Sequence, residues 1–108
     1  MLTFIATLKN TVTDPSSMAF QQANQSHAPY YQALIPDGKF LMSGPTLTED
    51  GQFKAGLFLI RAPSWAAAHD IMAHDPLVAA GFADYQLLAF KPLLTTPALD
   101  TILNDQQP

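Results

Sequence analysis

Leu2, Phe4, Ala6 and Leu8 alternate with Thr3, Ile5 and Thr7. This period of two predicts a strand with one apolar face and one of mixed character. The period then lengthens: Phe20, Ala23, His27, Tyr31 and Leu34 recur at spacings of three and four and share one face of a helix. Asp14-Pro15 reads as its N-cap and first helical position, and Pro36-Asp37-Gly38 stops it near Ile35, a helix of about twenty residues. Pro29, inside it, removes a backbone donor and predicts a kink beside His27. Lys39 to Ser43 is a short apolar strand closed by Gly44-Pro45, and Glu49-Asp50-Gly51 signals a hairpin turn. Ala55 to Ala62 follows, and its Leu57-Phe58-Leu59-Ile60 core does not alternate, which predicts a central strand buried on both faces. Pro63-Ser64 ends that strand and caps a second helix, Trp65 to His74. The last strand, Phe82 to Lys91, contains Leu87-Leu88-Ala89-Phe90 and is again apolar on both faces.

Strand, helix, strand, strand, helix, strand is the ferredoxin-like βαββαβ order, an α+β fold with a four-stranded antiparallel sheet. Two helices cover only one face of such a sheet. The other face, apolar on strands three and four, would leave a patch of several hundred Å² open to water, more than monomers usually carry. A homodimer with the two sheets face to face, a dimeric α+β barrel, is the economical solution. The domain spans residues 1–94. Residues 95–108 form a tail in which Leu99, Ile102 and Leu103 follow Pro97, suited to one or two helical turns docked on the body or a neighbour, or to a frayed end.

Composition narrows the partners. The 108 residues suffice for one domain. A net charge of −4, with Lys9, Lys39, Lys54, Arg61 and Lys91 scattered, argues against nucleic acid and against an anionic membrane surface. No apolar run approaches a membrane span of roughly 20 residues. The N-terminus carries no basic leader, so a cytoplasmic location is expected. With no cysteine, disulfide and thiolate chemistry are absent.

The stretch His74-Asp75-Pro76-Leu77-Val78-Ala79-Ala80-Gly81 holds the most unusual charge in the chain. Asp75 trails a helix, where the macrodipole is itself negative, and Pro76 pushes it out of the α region onto a fixed corner. The plain reading is an N-cap for a short turn opened by Pro76 and stopped by Gly81. The other is a carboxylate that serves a site. His27, on the apolar stripe of the first helix, faces the core or a cleft; its plain reading is a core histidine satisfied by backbone groups. His69 and His74 are five apart and point to different sides of their helix, so no metal ligand pair is expected. No phosphate loop or nucleophile elbow is present, and Ser43 has no base near it in sequence. General acid–base chemistry remains, with one inward histidine and one cornered carboxylate, although nothing in their spacing brings them together.

His27 followed by an aromatic-rich turn, then Gly38-Lys39-Phe40-Leu41-Met42-Ser43-Gly44-Pro45, then Asp75-Pro76-Leu77-Val78-Ala79-Ala80-Gly81 before a final strand, resembles the YCII-related (YciI-like) family over about Met1 to Leu93. The resemblance implies a dimeric ferredoxin-like barrel and a His–Asp pair in a cleft, carried here by His27 and Asp75, with Tyr30 or Tyr31, Ser43 and Pro45 lining a small-molecule pocket. It implies a lyase or isomerase, dehydrochlorinase-like chemistry included, on a cyclic or carbonyl compound, with no cofactor. Many members carry an arginine where this chain has Asn24, which points to a less acidic ligand or another mode of binding. A non-catalytic small-molecule-binding or regulatory dimer stays open, as does a cofactor-independent monooxygenase on the same barrel.

Overall fold

The computed structural model describes residues 1–105. Its elements are β1 (Leu2–Asn10), α1 (Met18–Gln32), β2 (Phe40–Leu47), β3 (Phe53–Ala62), α2 (Trp65–Ala73), α3 (Pro76–Ala79), β4 (Ala83–Phe90) and α4 (Pro97–Asp105). The strands form one antiparallel sheet in the order β2-β3-β1-β4, the ferredoxin-like arrangement of an α+β domain.

The alternation in β1 decides what lies where. Phe4, Ala6 and Leu8 are buried beneath the helices and pair in register with Ile60, Phe58 and Gly56 of β3. On that inner face they pack with Phe20 and Tyr31 of α1, with Ala68, Ile71 and Met72 of α2, and with Leu77 of α3. The opposite, outer face carries Ile5, Leu57 and Leu59 partly exposed, while Leu88 and Phe90 of β4 and Met42 of β2 are exposed. The apolarity predicted for both faces of the last two strands is present, and the outer face of this chain is largely open. α4 lies over one end of it. Leu99, Ile102 and Leu103 face Met42, Leu59 and Phe90 across a hollow of about 340 Å³.

Several boundaries differ from the sequence pattern: α1 is 15 residues rather than about twenty, β3 begins at Phe53 rather than Ala55, and two differences have a clear local cause. α1 starts at Met18, not at Pro15, because the Asp14 carboxylate is taken by the Ser16 amide and hydroxyl, and Ser17 accepts the Phe20 N–H as the true cap. The helix then runs through Pro29 to Gln32, and turns carry the chain to Gly38, whose φ of 71° suits only glycine. β2 does not end at Gly44-Pro45 but continues to Leu47. It is an edge strand, and proline's missing N–H is tolerated where one side of a strand has no partner. β2 also holds a bulge between Phe40 and Met42, with Leu41 as the extra residue. The bulge sets Ser43 opposite Phe58 and Pro45 opposite Gly56, on the inner face. No helix among the described residues is long and apolar enough to cross a membrane.

Candidate active site

α2 ends at His74, and the next residue leaves helical geometry at ψ 128°, as the residue before a proline must. That residue is Asp75. Its Oδ1 accepts the Leu77 N–H at 2.8 Å, so the N-cap reading is realised. The carboxylate does more than cap. It is fully buried, its Oδ2 accepts the Tyr31 hydroxyl at 2.7 Å, and His27 Nδ1 lies 3.0 Å from Oδ1 and 2.9 Å from Oδ2. His27 and Tyr31 sit one turn apart on α1, so a single carboxylate ties that helix to the α2–α3 corner.

The buried charge acts on its neighbours. Burial first, and the Asp75 charge second, push the Tyr31 phenol far above its ordinary range, and the same two causes raise Tyr30. Tyr31 is therefore a permanent donor. Tyr31→Phe is expected to cost about 1–3 kcal/mol near neutral pH, because a buried carboxylate oxygen loses a partner. From pH 10.0 upward, the ordinary phenol value, the unfolded chain releases this proton while the folded chain keeps it. Wild-type stability therefore falls with rising pH there, and Tyr31→Phe makes the slope shallower, with the raised Tyr30 keeping its own share. Urea-unfolding midpoints at neutral pH and above pH 10.0 check both effects.

The ring of His27, 22% exposed, forms part of a cleft of about 270 Å³. Asn24 and His27 come from α1, Leu8 and Asn10 from β1, Ser43 to Pro45 from β2, Phe53, Gly56 and Phe58 from β3, and Leu77 from α3. Phe58 stands edge-on to His27 at 5.6 Å and stacks on Tyr31 at 4.8 Å, which fixes both α1 rings from below. Three larger hollows lie away from the dyad: those of about 570 and 580 Å³ near the N-terminus and along β4, and the one of about 340 Å³ under α4.

Ser43 and Pro45 thus stand with His27 at one cleft. Tyr30 and Tyr31 do not line it. Tyr31 is buried behind His27 with its hydroxyl spent on Asp75, and the Tyr30 hydroxyl donates to the Ile71 carbonyl at 2.6 Å. Asn10, Phe53, Gly56 and Phe58 were not singled out from the sequence, since they reach the cleft only through strand register. For Tyr31 a signal existed: four residues after His27, it had to share that residue's face. His69 and His74 lie elsewhere, bonded to the Tyr85 hydroxyl and the Asp70 carbonyl respectively. Among the described residues no three His, Asp or Glu side chains gather as metal ligands would.

With Nδ1 held by the carboxylate, Nε2 is the nitrogen left for a ligand. The carboxylate fixes the tautomer that carries its proton on Nδ1, and a ring so held can serve acid–base chemistry through Nε2.

Fold and site together define a small ferredoxin-like α+β protein in which a half-buried histidine, paired with a buried aspartate, stands at an open cleft. The chain belongs to the YCII-related domain family, whose model matches residues 3–91. No curated protein matches it. Among solved structures it is similar to 5-chloro-2-hydroxyhydroquinone dehydrochlorinase from Burkholderia phenoliruptrix AC1100 in complex with 2,5-dihydroxybenzoquinone. That match has 24% identity and a TM-score of 0.61 over 83% of this chain and 94% of that one. It is also similar to muconolactone isomerase, with 16% identity and a TM-score of 0.68 over 89% of this chain and 95% of that one.

Proposed function

We propose that the protein is a homodimeric, cytoplasmic, small-molecule enzyme that moves a proton on a cyclic or carbonyl compound. His27 is its general acid/base and Asp75 holds the ring. One observation carries the reading: the His27 imidazole bridges a fully buried carboxylate and an open cleft. In a lyase or isomerase, Nε2 takes a proton next to a carbonyl or hydroxyl. The electron pair left behind either expels a leaving group such as chloride or is reprotonated at another carbon by the same imidazolium. Ser43, with Asn10 and Asn24, offers neutral donors to the substrate oxygens.

Likeness of fold to a dehydrochlorinase and to an isomerase suggests where to look for turnover. The test is chloride release from 5-chloro-2-hydroxyhydroquinone and double-bond migration in a butenolide lactone. His27→Gln is expected to lower either rate by about two to four orders of magnitude. Because the ring is partly exposed, it should change stability by no more than about 1–2 kcal/mol. Equal rates for His27→Gln and wild type would sink the proposal. A ligand-binding protein without turnover is the second reading. It is favoured by the way the Asp75 carboxylate is spent inside the fold, on Leu77, Tyr31 and His27.

The dimer is read from the open apolar sheet face: Leu88 is 67% exposed, Met42 54% and Phe90 47%. Burying such a face against a second copy supplies the driving force for association.

A further inference from the structure

We infer that the cleft selects an uncharged planar ring bearing carbonyl or hydroxyl oxygens and turns carboxylates away. This rests on the reading of His27 as the group that faces the ligand.

Charge is the first argument. The chain has five cationic side chains, Lys9, Lys39, Lys54, Arg61 and Lys91. None of them lines the cleft; Arg61 and Lys91 border the hollow beside the N-terminus instead. Carboxylate ligands are usually met by arginine or lysine, through charge-assisted and often bidentate bonds. Here the polar lining is Asn10, Asn24, Ser43 and His27. An amide or a hydroxyl both donates and accepts, which matches a carbonyl or hydroxyl oxygen.

The field behind the ring points the same way. Asp75 is fully buried, and among the described residues His27 is the one side chain paired with it as an ion. With a neutral imidazole the site carries one uncompensated negative charge; with an imidazolium it is neutral. In neither state does it hold a surplus positive charge for an anion. The carboxylate lies 2.7 Å from the Tyr31 hydroxyl and 3.0 Å from His27 Nδ1, and after burial its charge is the next cause that raises Tyr31 and Tyr30.

Shape supplies the ring. Phe58 forms part of the floor and Phe53, 59% exposed, part of the rim, with Gly56 between them along β3. A Cβ at Gly56 would come within 3.2 Å of the Phe58 ring, so a side chain there would press on that ring and narrow the cleft. A cleft walled by Leu8, Phe53, Phe58 and Leu77, with neutral polar groups around it, suits an aromatic or lactone ring.

The probes are 4-hydroxybenzamide and 4-hydroxybenzoate, alike in shape and different in charge at neutral pH. Each is titrated into the full chain while the His27 ring signals, assigned with His27→Gln, are followed by NMR. The amide should bind at least about tenfold tighter, with the benzoate deficit shrinking as salt screens the Asp75 field. Asn24→Lys, which puts a cation on the cleft wall one turn before His27, should close or reverse the ratio. Equal or tighter binding of benzoate to the wild type overturns the inference, as does failure of both probes to bind. Preferential binding of the amide that leaves the His27 signals unmoved would uphold the selectivity and instead remove His27 from the ligand-facing role.

Discussion

Asp75→Ala is expected to lose about 3–5 kcal/mol of stability, the summed cost of taking one shared acceptor from several hydrogen-bonding groups. For a domain of this size that is roughly 12–40 °C in Tm, readable by calorimetry. The loss is large because three groups are orphaned at once. The Tyr31 hydroxyl and the Leu77 N–H lose their acceptor, and His27 loses the anchor for Nδ1. Each buried donor left unpaired carries its own penalty. Asp75→Asn separates architecture from chemistry. An asparagine oxygen still accepts from Leu77 or Tyr31, so the cost falls to about 1–2 kcal/mol. Its amide group, however, donates, and toward His27 it favours the tautomer with a bare Nδ1 and a proton on Nε2. That tautomer cannot act as base at the cleft, and turnover should fall by about two to four orders of magnitude while the fold persists. Wild-type activity in a well-folded Asp75→Asn protein would show that Asp75 only caps α3 and joins helices.

The second large effect concerns the outer sheet face. Leu88→Glu is expected to convert the proposed dimer to monomers, with the dissociation constant weakened by at least about a hundredfold. In a two-fold dimer the same patch is used by both copies, so one substitution buries two carboxylates. Each must be desolvated in an apolar interface without a partner. Within a single chain Leu88 is 67% exposed, so the monomer itself should change by no more than about 0.5 kcal/mol. Light scattering after size exclusion reads the mass, and circular dichroism verifies the fold. A wild-type protein that runs as a monomer at micromolar concentration would contradict the dimer outright.

The signals that the sequence carried well were the periodic ones. β1 follows from alternation between Leu2 and Leu8 and α1 from spacings of three and four between Phe20 and Leu34, while β3 shows as an unbroken apolar run and α2 through its Ser64 cap. The misplaced boundaries are those where two local signals compete. Asp14-Pro15 and Ser17 are both good caps, and the turn through Ser16 settled the choice in favour of Ser17. Gly44-Pro45 ends an interior strand but not an edge strand, and edge status is a property of the sheet rather than of the dipeptide. His27 and Asp75 were each conspicuous, one by lying on an apolar stripe and the other by its charge at a helix end. Nothing local joined them, because their meeting depends on α1 lying against the α2–α3 corner. Tyr31 was legible as a neighbour of His27 but not as a donor to Asp75, for the same reason.

The bulge at Leu41 has a consequence for how this strand tolerates changes of length. Side chains along a strand take sides by counting, and Leu41 is the residue left out of the count. It borders the apolar hollow under α4 and takes no part in the cleft. Its removal would leave the order of Met42, Ser43 and Pro45 untouched. Retaining it while ironing out the bulge would exchange the two sides, sending Met42 into the ligand's space and Ser43 onto the outer face. The reading frame of this cleft wall is thus kept by a residue that never touches it, and one insertion past Leu41 would swap the faces of the rest of β2.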